Sequence, residues 1–251
     1  MTLKNAIYGL AVGDALGVPF EFKKRGTFTC SDMVGWGTWN QEPGTWSDDT
    51  SMTLATCKSI QEKGYIDTND IRDKFKQWAF EDKFTTNGKT FDIGNTTYEA
   101  LSLGYGLDDF NSNGNGSLMR ILPLAFVDVT DEEIEAVSAI THAHEISKKA
   151  CVKYVHIARE LVNGKRDLLN KFDINYPIIS DGFVVNTLNA AIFCIKTSNS
   201  YEEAVLKAVN LGDDTDTTAA VTGGLAGIIW EVPKKWINKL KNKKYIDECL
   251  F

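Results

Sequence analysis

Apolar residues recur at helical spacing along most of this chain: Leu3 to Leu16, Met52 to Gln61, Ile71 to Phe80, Asn95 to Leu103, Glu132 to Thr141, Ile146 to Val162, Val184 to Thr197, Glu202 to Asn210 and Thr217 to Trp230. Runs that alternate with a period of two are missing, so the pattern predicts an all-α chain. With no internal repeat, the expected architecture is a compact, orthogonal multi-helix bundle rather than a solenoid. Val34 to Trp46, aromatic and rich in glycine, reads as an irregular loop or a short hairpin. No Pro/Ser-rich or single-charge stretch divides the chain, which predicts one domain over residues 1–251.

The composition, 43% hydrophobic and 24% charged, is that of a globular enzyme rather than a disordered or fibrous chain. Net charge is −7 and the basic residues are scattered except for Lys234-Lys235 and Lys239 to Lys244, which read as a solvated helix face; nucleic acid is therefore not the expected main partner. The most apolar segments, Phe183 to Ile195 and Thr217 to Trp230, are too short to span a bilayer, and the start lacks a signal-like stretch. Five widely separated cysteines without C-x-x-C indicate buried thiols and no zinc site, consistent with an expected cytoplasmic location. An acidic protein that handles a phosphorylated ligand needs metal ions, backbone N–H groups or local cations, because its overall field repels anions.

Capping signals precede several helices: Ser47 or Asp49 before Met52, Thr130 before Glu132-Glu133, Ser200 before Glu202-Glu203, and Asp214 to Thr217 before Ala219. Two of these starts are unusually acidic: Trp46-Ser47-Asp48-Asp49-Thr50 and Gly212-Asp213-Asp214-Thr215-Asp216-Thr217. Either one alone reads as an N-cap. A cap uses about one acceptor, however, and the second cluster offers carboxylates and hydroxyls in surplus. Crowded carboxylates favour a cation, and oxygen donors without His or Cys neighbours favour a hard ion such as Mg²⁺, Mn²⁺ or Ca²⁺ over zinc. If the two helix starts face each other, they supply a two-metal site that orients a substrate and activates water.

Other motifs are weaker. Asp109-x-Asn111-x-Asn113-Gly114 begins like an EF-hand loop but has Arg120 where the bidentate Glu belongs, and Gly88-Lys89-Thr90 lacks the leading glycine and strand of a phosphate loop. Asn113 to Arg120 reads either as an ordinary turn and helix start or as an anion-binding concavity, with Arg120 paired to a phosphate or to a buried carboxylate. His142 is the best ligand-contact candidate among three histidines, although a satisfied core histidine is the common outcome.

Together these residues resemble the ADP-ribosylglycohydrolase family. The resemblance runs through Gly9 to Gly17, Glu21, Trp46 to Thr50, Asp92-Ile93-Gly94-Asn95-Thr96-Thr97, Asn115 to Arg120, Thr141-His142, Gly182 to Val185 and Gly212 to Thr217, in the family's order. It implies an all-helical fold with two divalent ions, Mg²⁺ or Mn²⁺, between helix N-termini. Ser47, Asp48, Asp49 and Asp216 would hold one ion; Asp214, Asp216, Thr217 and Glu21 the other. It further implies that Asp92 and Glu21 are the catalytic carboxylates and that Asn115, Gly116 and Ser117 cradle the diphosphate. Asn95, Thr96, His142, Gly182 and Phe183 would complete the ADP-ribose pocket.

The implied activity is metal-dependent removal of ADP-ribose from modified protein side chains by an expected monomer. The Asp92-Ile93-Gly94-Asn95-Thr96 run favours the arginine N-glycosidic linkage. The alternatives are a catalytically silent ADP-ribose sensor and a hydrolase acting on ADP-ribosyl-serine or another ADP-ribose derivative. The sequence departs from the family's usual residues at Ser47 (commonly Thr), Asp213 (commonly Gly) and Glu231 (often Gly). Ser47 keeps the hydroxyl, Asp213 is expected to add charge beside the metal site, and Glu231 concerns only how the last long helix ends.

Overall fold

The computed structural model describes residues 2–174 and 176–251. Its helices are α1 (Leu3–Gly17), α2 (Asp48–Lys63), α3 (Thr68–Glu81), α4 (Asn95–Leu103), α5 (Asp131–Ser138), α6 (Glu145–Val162), α7 (Val184–Lys196), α8 (Tyr201–Val209), α9 (Thr215–Ile229), α10 (Lys234–Lys239) and α11 (Lys243–Cys249). Among the described residues there is no strand, only isolated bridges such as Trp36 with Gln41, so the all-α expectation holds and Val34 to Trp46 is an irregular loop with one 3₁₀ turn.

Helices α1 and α9 form the centre of the bundle and run antiparallel at unusually close approach. A Cβ on Gly9 would collide with the carbonyl oxygen of Gly223, one on Gly13 with that of Ala219, and one on Gly17 with the backbone of Asp216. Glycine at these positions is therefore a packing requirement, since a side chain would force the two axes apart. Buried hydroxyls tie the pair to its neighbours: Tyr201 donates to the Gly9 carbonyl (2.5 Å) and Tyr154 to that of Val221 (3.0 Å). Helices α7 and α8 pack on α9, while α3 and α11 pack on α2.

The helix starts follow the local chemistry. Ser47 caps α2 by accepting from Asp49 N, Thr130 and Glu133 form a reciprocal capping box on α5, and Ser200 accepts from Glu203 N at the start of α8. α5 stops at Ser138, before the Thr141 limit that periodicity suggests, and Arg120 donates to the Val137 carbonyl (3.2 Å) in its last turn. The lysine-rich tail forms the short helices α10 and α11, which expose lysines yet bury Trp236 and Ile246. No described helix is long and apolar enough to cross a membrane.

The antiparallel α1–α9 pair puts the last turn of α1 beside the first turn of α9, with Gly17 against Asp216. Asp14, fully buried in α1, completes the arrangement by accepting hydrogen bonds from Ser47 N (2.9 and 3.0 Å), Thr50 N (3.1 Å) and Thr50 Oγ1 (2.5 Å). One helix end thus collects the N-termini of two others.

Candidate active site

A cleft of about 400 Å³ opens over these helix starts. Of the residues singled out from sequence, Glu21, Asp48, Asp92, Asn95, Thr96, Asn115, Gly116, His142, Asp214 and Thr217 line it. Ser47, Asp49 and Asp216 are buried beneath its floor. Gly182 and Phe183 flank it: Gly182 O accepts from Asn115 N (2.9 Å), and the Phe183 ring lies 6.4 Å from the Phe110 ring. Ser117 is the exception, because its hydroxyl is wholly buried, 3.0 Å from Ser138 Oγ and 3.4 Å from Cys151 Sγ, and faces away from the cleft.

The acidic clusters are not spent on capping. Asp214 sits at the N-cap of α9 but makes no side-chain cap; its Oδ2 accepts from Asn115 Nδ2 (2.7 Å) instead. Asp49 Oδ2 accepts from Ser47 Oγ (3.2 Å) and Thr217 Oγ1 (3.4 Å), and Asp216 Oδ1 accepts from Thr217 N (2.9 Å). The second oxygens of all three, Asp49 Oδ1, Asp214 Oδ1 and Asp216 Oδ2, are buried without a hydrogen-bond partner. Buried polar atoms are ordinarily satisfied, so an orphaned set in one place points to a missing positive partner.

The electrostatics agree. Burial raises Asp48, Asp49 and Asp216 well above the usual carboxylate range, and repulsion from the surrounding carboxylates, Asp14, Glu21 and Asp214 among them, adds to it. Asp214 moves up for the same first reason, burial. Asp14 is pushed up to about 6 by burial, against the hydrogen bonds from Thr50 and Ser47. Glu21 rises to about 7 through burial, opposed by the Trp39 indole N–H that donates to its Oε2 and reinforced by Asp214. Asp92 is raised by burial and by Asp48, Asp216 and Glu21. Oxygens of Glu21, Asp92 and Asp216 lie within 4.8 Å of one another. This donor set, all oxygen and all anionic or hydroxylic, fits hard divalent cations.

Asp92 has φ of 60°, a left-handed conformation that a non-glycine residue adopts at a cost. Just beyond it, α4 starts at Asn95 from Gly94 with no side-chain cap, so its first N–H groups remain available at the cleft. His142 is buried against Gly116, where a Cβ would come within 2.8 Å of the ring, and burial together with the Arg120 charge lowers its pKa to about 3. Arg120 pairs with no carboxylate, and its guanidinium is spent on the protein's own oxygens. Fully buried, it donates to Gly116 O (3.1 Å), Val137 O (3.2 Å) and Thr141 Oγ1 (2.8 Å), with Phe75 beneath it.

Asp213 also differs from expectation. Its side chain is exposed, its φ is 59°, and its backbone pairs with Phe22 N (2.7 Å) and Lys23 O (2.8 Å). The left-handed turn sends the carboxylate to solvent, so what the position demands is a backbone conformation, which Asp tolerates better than most residues. Sequence reading gave no role to Asp14, Trp39 or Phe22. The available signal for Asp14 was a lone carboxylate inside the apolar run Ala11 to Leu16; none marked Trp39 or Phe22.

An all-helical bundle with a carboxylate-lined cleft between helix N-termini defines a class, and comparison with known proteins gives its name. The sequence profile of the ADP-ribosylglycohydrolase family matches residues 2–250, and the chain belongs to that family of glycosidic-bond hydrolases. It is 33% identical to the ADP-ribosylarginine hydrolase Tri1 of Serratia proteamaculans over 97% of this chain and 76% of that one. It is 30% identical to the ADP-ribosyl-[dinitrogen reductase] glycohydrolase of Rhodospirillum rubrum, over 95% of this chain and 90% of that protein. A solved ADP-ribosylglycohydrolase-related protein complex superposes with a TM-score of 0.83 at 28% identity, covering 98% of this chain and 94% of that one.

Proposed function

We propose that this enzyme removes ADP-ribose from modified protein side chains with arginine as the favoured linkage, using two divalent ions, Mg²⁺ or Mn²⁺. Ser47, Asp48, Asp49, Asp214, Asp216, Thr217 and Glu21 are the residues to hold them. The observation that carries the reading is the set of orphaned buried oxygens on Asp49, Asp214 and Asp216 under a cleft that also presents Glu21 and Asp92. When bound, the ions orient the ribose hydroxyls and polarise the reacting centre.

The protein's own groups do the rest. Glu21, which accepts the Trp39 N–H, and Asp92, with an oxygen within 4.8 Å of it, are the carboxylates placed to exchange a proton with the substrate or water. Asn95 and Thr96 at the start of α4, with Asn115 and Gly116, offer donors for the diphosphate. The name of the Serratia relative and the anionic character of the cleft, which suits a cationic leaving group, support arginine over serine. A monomeric, cytoplasmic enzyme is part of the same reading.

The test is release of free ADP-ribose from arginine- and serine-modified substrates in parallel, with Mg²⁺, with Mn²⁺ and with EDTA. Metal-dependent release from the arginine substrate is expected. Tight ADP-ribose binding with no release under any metal would replace the hydrolase with a sensor.

A further inference from the structure

His142 stands at the end of a chain of hydrogen bonds that begins on a buried cation. Arg120 Nη2 donates to Thr141 Oγ1 (2.8 Å), and Thr141 Oγ1 lies 2.8 Å from His142 Nδ1. The guanidinium has donors only, so the Thr141 oxygen accepts there and keeps its single hydrogen for another partner. His142 Nδ1 is the one remaining partner of that hydroxyl among the described residues. A hydroxyl that donates to Nδ1 leaves the ring proton on Nε2. That atom faces Gly114 and Gly116, where added Cβ atoms would lie 3.5 and 3.3 Å away, and it has no protein partner among the described residues.

We infer that Arg120 and Thr141 are positioning residues that lock His142 in the Nε2–H tautomer, so that the ring presents one neutral donor to an acceptor oxygen of the bound ADP-ribosyl group. The ligand named here rests on the function proposed above; the tautomer does not. The relay answers a problem of charge. The cleft is otherwise crowded with carboxylates that repel a diphosphate, and a histidine free to accept a hydrogen bond would offer it nothing. A cation buried behind the imidazole, with no carboxylate among its partners, polarises the ring towards donation and opposes its protonation. It also gives a role to an arginine that is buried behind the cleft and pairs with no carboxylate.

The chain has only three histidines, so ¹⁵N-histidine labelling of the ligand-free protein isolates the ring, identified by the signal lost in His142→Gln. At neutral pH, Nδ1 should resonate as an unprotonated nitrogen and Nε2 as a protonated one. Thr141→Val, which keeps the β-branched shape and deletes the hydroxyl, should give mixed tautomers and weaken ADP-ribose binding about tenfold, with Thr141→Ser restoring both. A wild-type ring protonated on Nδ1 or on both nitrogens would overturn the inference whether or not the variants fold. So would a folded Thr141→Val protein with unchanged tautomer and affinity. Wild-type protein that shows the Nε2–H ring but does not bind ADP-ribose would overturn the functional reading of the cleft and the ligand named here, leaving the lock itself supported.

Discussion

Asp14 and Thr50 are joined twice: one carboxylate oxygen of Asp14 accepts both the backbone N–H of Thr50 (3.1 Å) and its hydroxyl (2.5 Å). With Ser47 N bound to the same carboxylate, the first turn of α2 is anchored to α1 and not to its own cap alone. Asp14→Asn keeps the shape but replaces one acceptor oxygen by an amide NH₂, a donor facing the Ser47 and Thr50 donors. It should cost about 1–3 kcal/mol in urea unfolding, because buried N–H groups lose their acceptor, and weaken Mn²⁺ binding in calorimetry. Unchanged stability would mean that the anchor is dispensable.

The α1–α9 approach makes a steric prediction. Gly13→Ala places a methyl against the Ala219 carbonyl and should destabilise the fold by about 1–3 kcal/mol. Because the same crossing sets Gly17 against Asp216, metal affinity should fall with it. A Gly164→Ala control, at a glycine with open space around it but φ of 78°, separates backbone strain from collision: it should lose stability without losing metal affinity.

Metal and proton compete for the same carboxylates. Asp14 at about 6 and Glu21 at about 7 lie above their ordinary values of 3.8 and 4.5, so the metal-free native state holds protons that the unfolded chain has released. Their contribution is fully present below the unfolded values and is lost as pH rises through the folded ones, so stability in EDTA should fall between about pH 4 and pH 7. Thermal melts at about pH 5.5 and about pH 7.5 check the sign. Mg²⁺ or Mn²⁺, by favouring the ionised carboxylates, should raise Tm more at the higher pH; an equal rise at both would count against Glu21 as a ligand.

Asp213→Gly addresses the exposed residue beside the acidic motif. The turn it occupies suits glycine, so the change should alter stability by less than about 1 kcal/mol and leave Mn²⁺ affinity where it was. A marked change in affinity would restore a role for its charge.

Asp92→Asn tests the catalytic assignment. Turnover should drop by about 100-fold or more while ADP-ribose still binds, as expected for loss of a proton-transfer group. Full activity would remove Asp92 from that role and leave Glu21 as the sole candidate.

The helices were readable because burial on one face imposes a 3.6-residue period that survives in a single sequence, and Ser47, Thr130 and Ser200 cap as their side chains require. The acidic residues were readable as clusters, and the family resemblance supplied the roles proposed for them. What each does locally was not readable. Asp214 occupies a cap position without capping, Arg120 binds carbonyls where a phosphate or carboxylate was expected, and Ser117 turns into the core. A side chain's direction depends on neighbours that are distant along the chain.

By itself the sequence determined a helical chain with two over-acidic helix starts, because amphipathic period and capping chemistry are local properties. Only the tertiary structure decided that those starts share one cleft. That outcome depends on the Gly9, Gly13 and Gly17 stripe lying against α9 and on Asp14 reaching α2, contacts between residues far apart in the chain whose energy exists only once the helices have packed.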